Sequence, residues 1–276
     1  MTYRGRQPTI GLIWSQFSAY HVDRLEAVGR RLAGRAKVLS VEIASKSATY
    51  AWDPSGEVAG TEKKRLFAGE SHEKISIWRR FRAEFRVLKT CDIIFVGVAY
   101  SQPDIILLSY VLRALGKRVV MMTASKFDDF QRKSSREVLK RLLLSPYTAA
   151  IVGGRRQFEY VRFLGFDDRM VLPGYNTVSM ERVRRQAEAD WDAAREISFD
   201  ARSFVFVGRF VEKKNIERML EAYARYVHAA GPLGEAQAKR LTMIGDGPLR
   251  PAIDAQCAAL AISDMVDFPG FLPAAK

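Results

Sequence analysis

The chain has 276 residues, 48% of them hydrophobic, which is enough for a sizeable core in one large or two modest domains. Its 44 Lys and Arg against 31 Asp and Glu leave a net charge of +13, a balance that attracts phosphorylated substrates, anionic headgroups or nucleic acid without choosing among them. No apolar run reaches the roughly 18 residues of a membrane span, Met1–Gln7 lacks a signal-peptide core, and the two cysteines, Cys91 and Cys257, are far apart and outside any CxxC spacing; a disulfide scaffold and a structural zinc site are excluded, and a cytoplasmic protein with reduced, buried thiols is expected.

In chain order, Thr9–Ser15, Lys37–Ile43, Asp92–Gly97, Arg118–Thr123 and Thr148–Gly153 are short, apolar and rich in Ile and Val, and read as strands buried on both faces. Val22, Leu25, Val28 and Leu32 recur at helical spacing after the first of them, and Pro103 opens a helix that ends at Gly116. This alternation predicts a parallel α/β sheet with right-handed crossovers. Ala44–Glu70, with Asp53-Pro54-Ser55-Gly56 and mixed charges, interrupts the rhythm and reads as a surface excursion or lid. In Trp78–Lys89, Trp78, Phe81, Phe85 and Leu88 share one helical face while Arg79, Arg82, Arg86 and Lys89 lie elsewhere. That face either packs into the core or rests on an anionic membrane, which would make the protein peripheral at its inner surface. Nucleic-acid binding would use the same cations, but no aromatic RNA signature, recognition helix or zinc finger accompanies them.

A charged helical connector, Arg182–Arg195, leads to a second rhythm. Strands are expected at Ser203–Gly208, Leu241–Ile244 and Met265–Phe268, with helices at Lys214–Ala229 and Leu249–Leu260 between them and a Gly231–Gly234 loop after the first helix. The domain plan is therefore 1–180, a linker 181–200, and 201–276. Phe204–Tyr223 is the most informative stretch. A strand, a glycine turn and a helix start converge there, and Arg209 and Lys214 flank the turn, a planar fork and a point charge able to hold a diphosphate without a metal. Taken alone, it is equally an ordinary connection with two solvated cations.

Its neighbours add to it. Phe206-Val207-Gly208-Arg209 with Glu212-Lys213-Lys214 and Leu220-Glu221-Ala222, then Ile244-Gly245-Asp246-Gly247-Pro248-Leu249, then Val266-Asp267-Phe268-Pro269-Gly270-Phe271, preceded by Pro173-Gly174-Tyr175-Asn176-Thr177-Val178, resemble in order and spacing the motifs of glycosyltransferase family 4. The resemblance implies a GT-B fold, a pair of facing Rossmann-like domains with parallel sheets, and transfer of a sugar from a nucleotide-sugar to an acceptor hydroxyl with retention. By the same resemblance, Arg209 and Lys214 neutralise the departing diphosphate, Gly208, Phe271 and Leu272 complete the nucleotide side, and no cofactor or metal is required.

The resemblance also implies a pair of glutamates beyond the last strand and a terminal helix that returns to the first domain. Neither is encoded before Lys276, so the second domain is expected to be incomplete, and the chain is either a fragment of a longer enzyme or a truncated, non-catalytic paralogue acting as a binding module. A nucleotide-sugar epimerase of the same fold is a further alternative. On the acceptor side the family's glycine-rich turn is replaced by Trp14-Ser15-Gln16-Phe17-Ser18, and its histidine by Ala124-Ser125-Lys126-Phe127-Asp128-Asp129. Ser15, His21, Lys126 and Asp128 are the candidates there for contacts with an acceptor, lipid-linked or small, or with the donor sugar, because ligands meet open parallel sheets at the strands' C-terminal ends.

Overall fold

The computed structural model describes residues 6–48, 52, 54–129, 131–230 and 238–272. The chain divides into two compact units, Met1–Ser179 and Met180–Lys276. In the first, among the described residues, seven strands form one sheet: β1 (Thr9–Trp14), β2 (Lys37–Lys46), β3 (Glu62–Ser71), β4 (Ile93–Val96), β5 (Arg118–Thr123), β6 (Ala149–Val152) and β7 (Val171–Pro173). The order is β3-β2-β1-β4-β5-β6-β7 and every neighbouring pair is parallel. Ile10 of β1 lies level with Val38 on one side and Ile93 on the other, so apolar residues meet across the middle of the sheet.

The strand order decides where the helices go. From β1 the chain moves one way to β2, and from β4 it moves the other way to β7. Right-handed crossovers in opposite directions put their helices on opposite faces. Accordingly α1 (Ala19–Leu32) covers one face through Leu25, packed with Leu12, Phe17 and Val38. The opposite face holds the larger core, where α2 (Ile77–Leu88), α3 (Pro103–Ala114), the end of α4 (Ser134–Leu143) and α5 (Arg155–Phe163) meet Ile13, Ile94 and Met121. On the α1 side, Phe95, Met122 and Ile151 line an apolar cavity of about 600 Å³ together with Leu12 and Trp14.

One expectation fails in this unit and a second is met only in part. Ala44–Glu70 is not only an excursion: its last third is most of β3, a ten-residue edge strand. Its charges hid it, because an edge strand tolerates Lys and Arg, and here Lys63 and Arg65 reach the buried Glu42 carboxylate at 3.4 and 2.7 Å. The excursion proper packs inward at Val58, in the core beside α1, while Asp53 lies outside the described residues. In α2, Phe81, Phe85 and Leu88 of the expected face do pack on the core, but Arg80 and Glu84 are buried beside them and Trp78 stays 63% exposed.

The second unit opens with α6 (Met180–Glu196), followed by β8 (Phe204–Val207), α7 (Ile216–Ala230), β9 (Leu241–Ile244), α8 (Arg250–Ala259) and β10 (Val266–Gly270). The strands pair in parallel in the order β10-β9-β8. Their core is Phe210, Leu220, Met243, Ile253 and Cys257. Among the described residues β8 is an edge strand: Phe206 turns toward that core and Phe204 packs on Tyr223 and Tyr226, while Val207 remains 69% exposed. The Gly231–Gly234 loop lies outside the described residues. Both cysteines are free and buried, and no helix among the described residues is long and apolar enough to cross a membrane.

Candidate functional site

In the second unit all three strands run out toward the same side, and their C-terminal turns bind one another through backbone. Gly208 N–H donates to Ile244 O at 3.0 Å, Gly245 N–H to Gly270 O at 2.9 Å, Phe210 N–H to Asp246 O at 2.9 Å, and Leu249 N–H to Phe210 O at 3.1 Å. The fit demands glycine at 245, where φ is +137° and a Cβ would stand 2.0 Å from Gly208 O. Phe210 is fully buried beneath these turns, which fixes the backbone on either side of it.

The predicted cations sit on this platform. Arg209 lies between the glycine and the buried Phe210 and is exposed. Lys214 ends a 3-10 turn, Glu212–Lys214, that Asn215 closes in the left-handed region at φ 51° before α7 begins. The Lys214 side chain folds back so that Cε lies 3.7 Å from the position a Gly208 Cβ would take. Gly208, Arg209 and Lys214 are therefore neighbours in space, at a strand end and beside a helix N-terminus, where amide dipoles favour anions. Phe271 and Leu272 follow β10 directly, both exposed, one and two residues beyond the Gly270 carbonyl that anchors Gly245. The neighbouring carboxylate, Asp246, is turned into its own turn, accepting from Gly247 N–H at 2.7 Å.

In the first unit the strand order reverses between β1 and β4, the usual place for a ligand crevice. Trp14 occupies it. Its indole lies over Gly97, where any Cβ would fall 2.1 Å from Nε1, and Nε1–H donates to the Tyr175 hydroxyl at 2.9 Å. Ser15, half-buried, begins the turn to α1, and two of the amides that follow are taken. Phe17 N–H donates to Glu42 Oε1 at 2.9 Å and Ser18 N–H to His21 Nδ1 at 3.0 Å. Two of the turn's amides are therefore engaged by side chains of the protein itself.

His21 is buried among aromatic rings, with Tyr20 at 4.3 Å, Trp14 at 5.0 Å and Trp52 at 5.8 Å between centroids. Burial first, and the Arg24 charge second, push its pKa down to about 3, so the ring is neutral; with Nδ1 accepting from Ser18, the proton sits on Nε2. Arg24 is held between the Tyr20 and Tyr175 rings, 4.9 and 4.7 Å from their centroids. Lys126 and Asp128 are at the end of β5, as the sequence places them, but they are bound to each other at 3.0 Å. Asp128 also takes Arg156 at 2.8 Å, and the Lys126 hydrogen bond holds its carboxyl below the usual range.

Ser15 and His21 thus share one neighbourhood and Lys126 and Asp128 a second in the same unit, while Gly208, Arg209, Lys214, Phe271 and Leu272 lie in the other unit. Sequence reasoning passed over Glu42 and Trp52, and took Tyr175 only as part of a motif. The signal for Glu42 was a carboxylate inside an apolar run; Trp52 carried none, and the contact of Tyr175 with Trp14 appeared only when the chain folded. It also passed over a buried polar cluster in which Arg80 grips Asp104 by two hydrogen bonds, at 2.5 and 3.0 Å, beside Glu84, whose two oxygens are buried without partners. Burial, reinforced by Asp104, raises the Glu84 pKa to about 8. Among the described residues no group of acidic, His and Cys side chains is arranged to hold a metal ion.

Comparison with known proteins adds a family match for one segment and a fold for the chain. Residues 188–276, which carry the whole platform, match the family model described as glycosyl transferases group 1. No curated protein sequence matches the chain. Among solved structures, Anabaena HepE, crystallised with UDP and glucose, superposes with a TM-score of 0.62 at 11% identity over 97% of this chain and 70% of its own. A sucrose-phosphate synthase from Thermosynechococcus elongatus gives 0.62 at 17% identity over 98% and 71%. A UDP-N-acetylglucosamine 2-epimerase from Rickettsia bellii gives 0.56 at 12% identity over 98% and 69%. The chain therefore has the GT-B-like fold of two Rossmann-type parallel α/β units, and its segment 188–276 is similar to the group 1 glycosyl transferases.

Proposed function

We propose that the protein transfers a sugar from a nucleotide-diphosphate sugar to an acceptor hydroxyl, with the anomeric configuration retained. The observation that carries this reading is the convergence of Gly208, Arg209 and Lys214 on an interlocked backbone platform within the segment that matches the family. In the reaction the anomeric carbon gains a bond to the acceptor oxygen and loses its bond to the diphosphate, and the hydroxyl proton leaves with the diphosphate. Negative charge grows on the leaving oxygens. Arg209 as a fork and Lys214 as a point charge, preset on rigid backbone, stabilise that charge more than they stabilise the bound donor. The amides at the start of α7 add to the same field.

The positive charge comes from side chains, so no cofactor or metal is invoked, and transfer is expected to persist in a chelator. Phe271 and Leu272 border the nucleotide base. The acceptor side is the first unit, whose α1 turn has two amides, those of Phe17 and Ser18, occupied by Glu42 and His21 and so unavailable to donor phosphates. Ser15 and the Nε2–H of His21 are the acceptor contacts, with Lys126 and Asp128 at the next strand end. UDP, present with the Anabaena protein, is the first nucleotide to try.

The test is calorimetry with UDP together with transfer from a labelled UDP-sugar. Arg209→Ala and Lys214→Ala are each expected to lower turnover by roughly 100-fold or more and to weaken UDP binding. Unchanged binding and turnover in both variants would overturn the assignment. UDP binding without any transfer points instead to a non-catalytic binding module. The assay run without acceptor separates epimerisation of the donor.

A further inference from the structure

Helix α4 is amphipathic in the wrong sense for a helix packed on a core. Val138, Leu139 and Leu142 lie with Ser135 at i, i+3, i+4 and i+7 spacing, on one face, and that face looks out: the three apolar side chains are 60%, 53% and 63% exposed. The residue it buries is a carboxylate, Glu137, which accepts from Tyr160 Oη at 2.7 Å and from Lys140 Nζ at 2.8 Å, with Arg132 at 3.6 Å. Burial alone would raise the Glu137 carboxyl; the bonds from Lys140 and Tyr160 outweigh it and hold the group ionised. The helix is thus pinned by its polar side with its leucines in water. Arg136 and Arg141 flank the apolar stripe on either side, Lys133 precedes it, and among the described residues no carboxylate pairs with any of the three. By contrast, the acidic residues on α5 and just beyond it are engaged, Glu159 by Arg155 and Asp168 by Arg162. Tyr110 of α3, exposed, extends the face by donating to Leu142 O at 2.6 Å.

We infer that the outward face of α4 docks the protein on an anionic lipid bilayer, its leucines entering the headgroup boundary and Lys133, Arg136 and Arg141 meeting lipid phosphates. Cations that flank an exposed apolar stripe match a surface that is negative outside and apolar beneath. A nucleic acid would engage the cations but give Val138, Leu139 and Leu142 nothing to bury against. The assignment moves the membrane contact away from Trp78–Lys89, where Arg79 is held by Glu70 at 3.0 Å and Phe81 and Phe85 are half-buried. It does not depend on the sugar-transfer reading.

Flotation of the full chain with phosphatidylcholine vesicles, with and without phosphatidylglycerol, tests it. Binding is expected only to the phosphatidylglycerol vesicles and should weaken as salt rises. The double variant Leu139→Asn, Leu142→Asn should lower the partition coefficient about ten-fold or more. Lys133→Gln and Arg136→Gln should each lower it roughly five-fold. Ser135→Leu, which widens the stripe, should raise it, and Trp78→Ala should leave it unchanged. All these positions are exposed, so thermal melts should match the wild type. Absence of wild-type binding, equal binding to both vesicles, or full binding by the leucine variant overturns the proposal. So does loss of self-association or of duplex-DNA binding in the leucine variant with no vesicle binding in the wild type.

Discussion

His21 and Glu84 are two buried titratable groups whose environments set opposite pH dependences. For His21 the folded pKa is about 3 against 6.5 in an exposed ring, so between those values the unfolded chain binds a proton that the folded chain refuses. Its contribution to stability is intact above about pH 6.5 and is lost as pH falls, by about 2 kcal/mol at pH 5. His21→Gln should flatten the melting temperature over this range, as circular dichroism melts at several pH values would show. Glu84 works the other way. Its carboxyl is protonated up to about pH 8 in the fold and ionises near 4.5 when unfolded, so folding loses stability as pH rises through that window. Glu84→Gln mimics the protonated form. It should change little at pH 4 and stabilise by about 3 kcal/mol at pH 7, measured by denaturant titration. A stabilisation equal at both pH values would mean that Glu84 is ionised in the fold.

At the scale of elements, the turn after β9 holds the candidate site together. Gly245→Ala would force a Cβ onto Gly208 O and a side chain into a positive-φ backbone. The expected cost is about 3 kcal/mol. If the platform carries the donor, UDP affinity should fall as well, although Gly245 is not a charged group. A melting temperature within a degree or so of wild type would mean that the two turns are less tightly interlocked than their hydrogen bonds indicate. The helices teach a related lesson. α2 and α4 are both basic and amphipathic in sequence, yet α2 turns Arg80, Glu84 and Leu88 inward and α4 turns only Glu137 inward. Periodicity says that a stripe exists; the polar partner waiting on the core side, Asp104 for one helix and Tyr160 for the other, decides which way the helix is rotated.

At the scale of the molecule, the two units have separate cores, one centred on Ile13, Ile94 and Met121 and the other on Phe210, Leu220 and Met243. The first has a sheet of seven strands among its described residues, with apolar cores on both faces, and should fold by itself. Residues 1–179 expressed alone are expected to melt cooperatively, to keep the acid sensitivity of His21 and to bind no UDP, which circular dichroism and calorimetry would check. UDP binding by that fragment would place the donor in the wrong unit.

The sequence by itself determined most of the element types, though not β3, β7, α4 or α5, together with the parallel character of both sheets and the placement of Arg209 and Lys214 at a strand-to-helix turn. These rest on local signals: β-branched apolar runs, helical spacing from Val22 to Leu32, and a glycine followed closely by Arg209 and Lys214. Such signals survive without knowledge of what packs where, because backbone conformation and local charge are properties of neighbours in the chain. Only the tertiary structure decided that β3 is a strand, that β8 is an edge, that Trp14 fills the β1–β4 crevice, and which faces α2 and α4 bury. Each of those depends on a partner distant in sequence: Glu42 for Arg65, Tyr175 for Trp14, Tyr160 for Glu137. A charged residue reads as solvent-facing until the fold supplies its counter-charge, and a leucine reads as core until the fold leaves it outside.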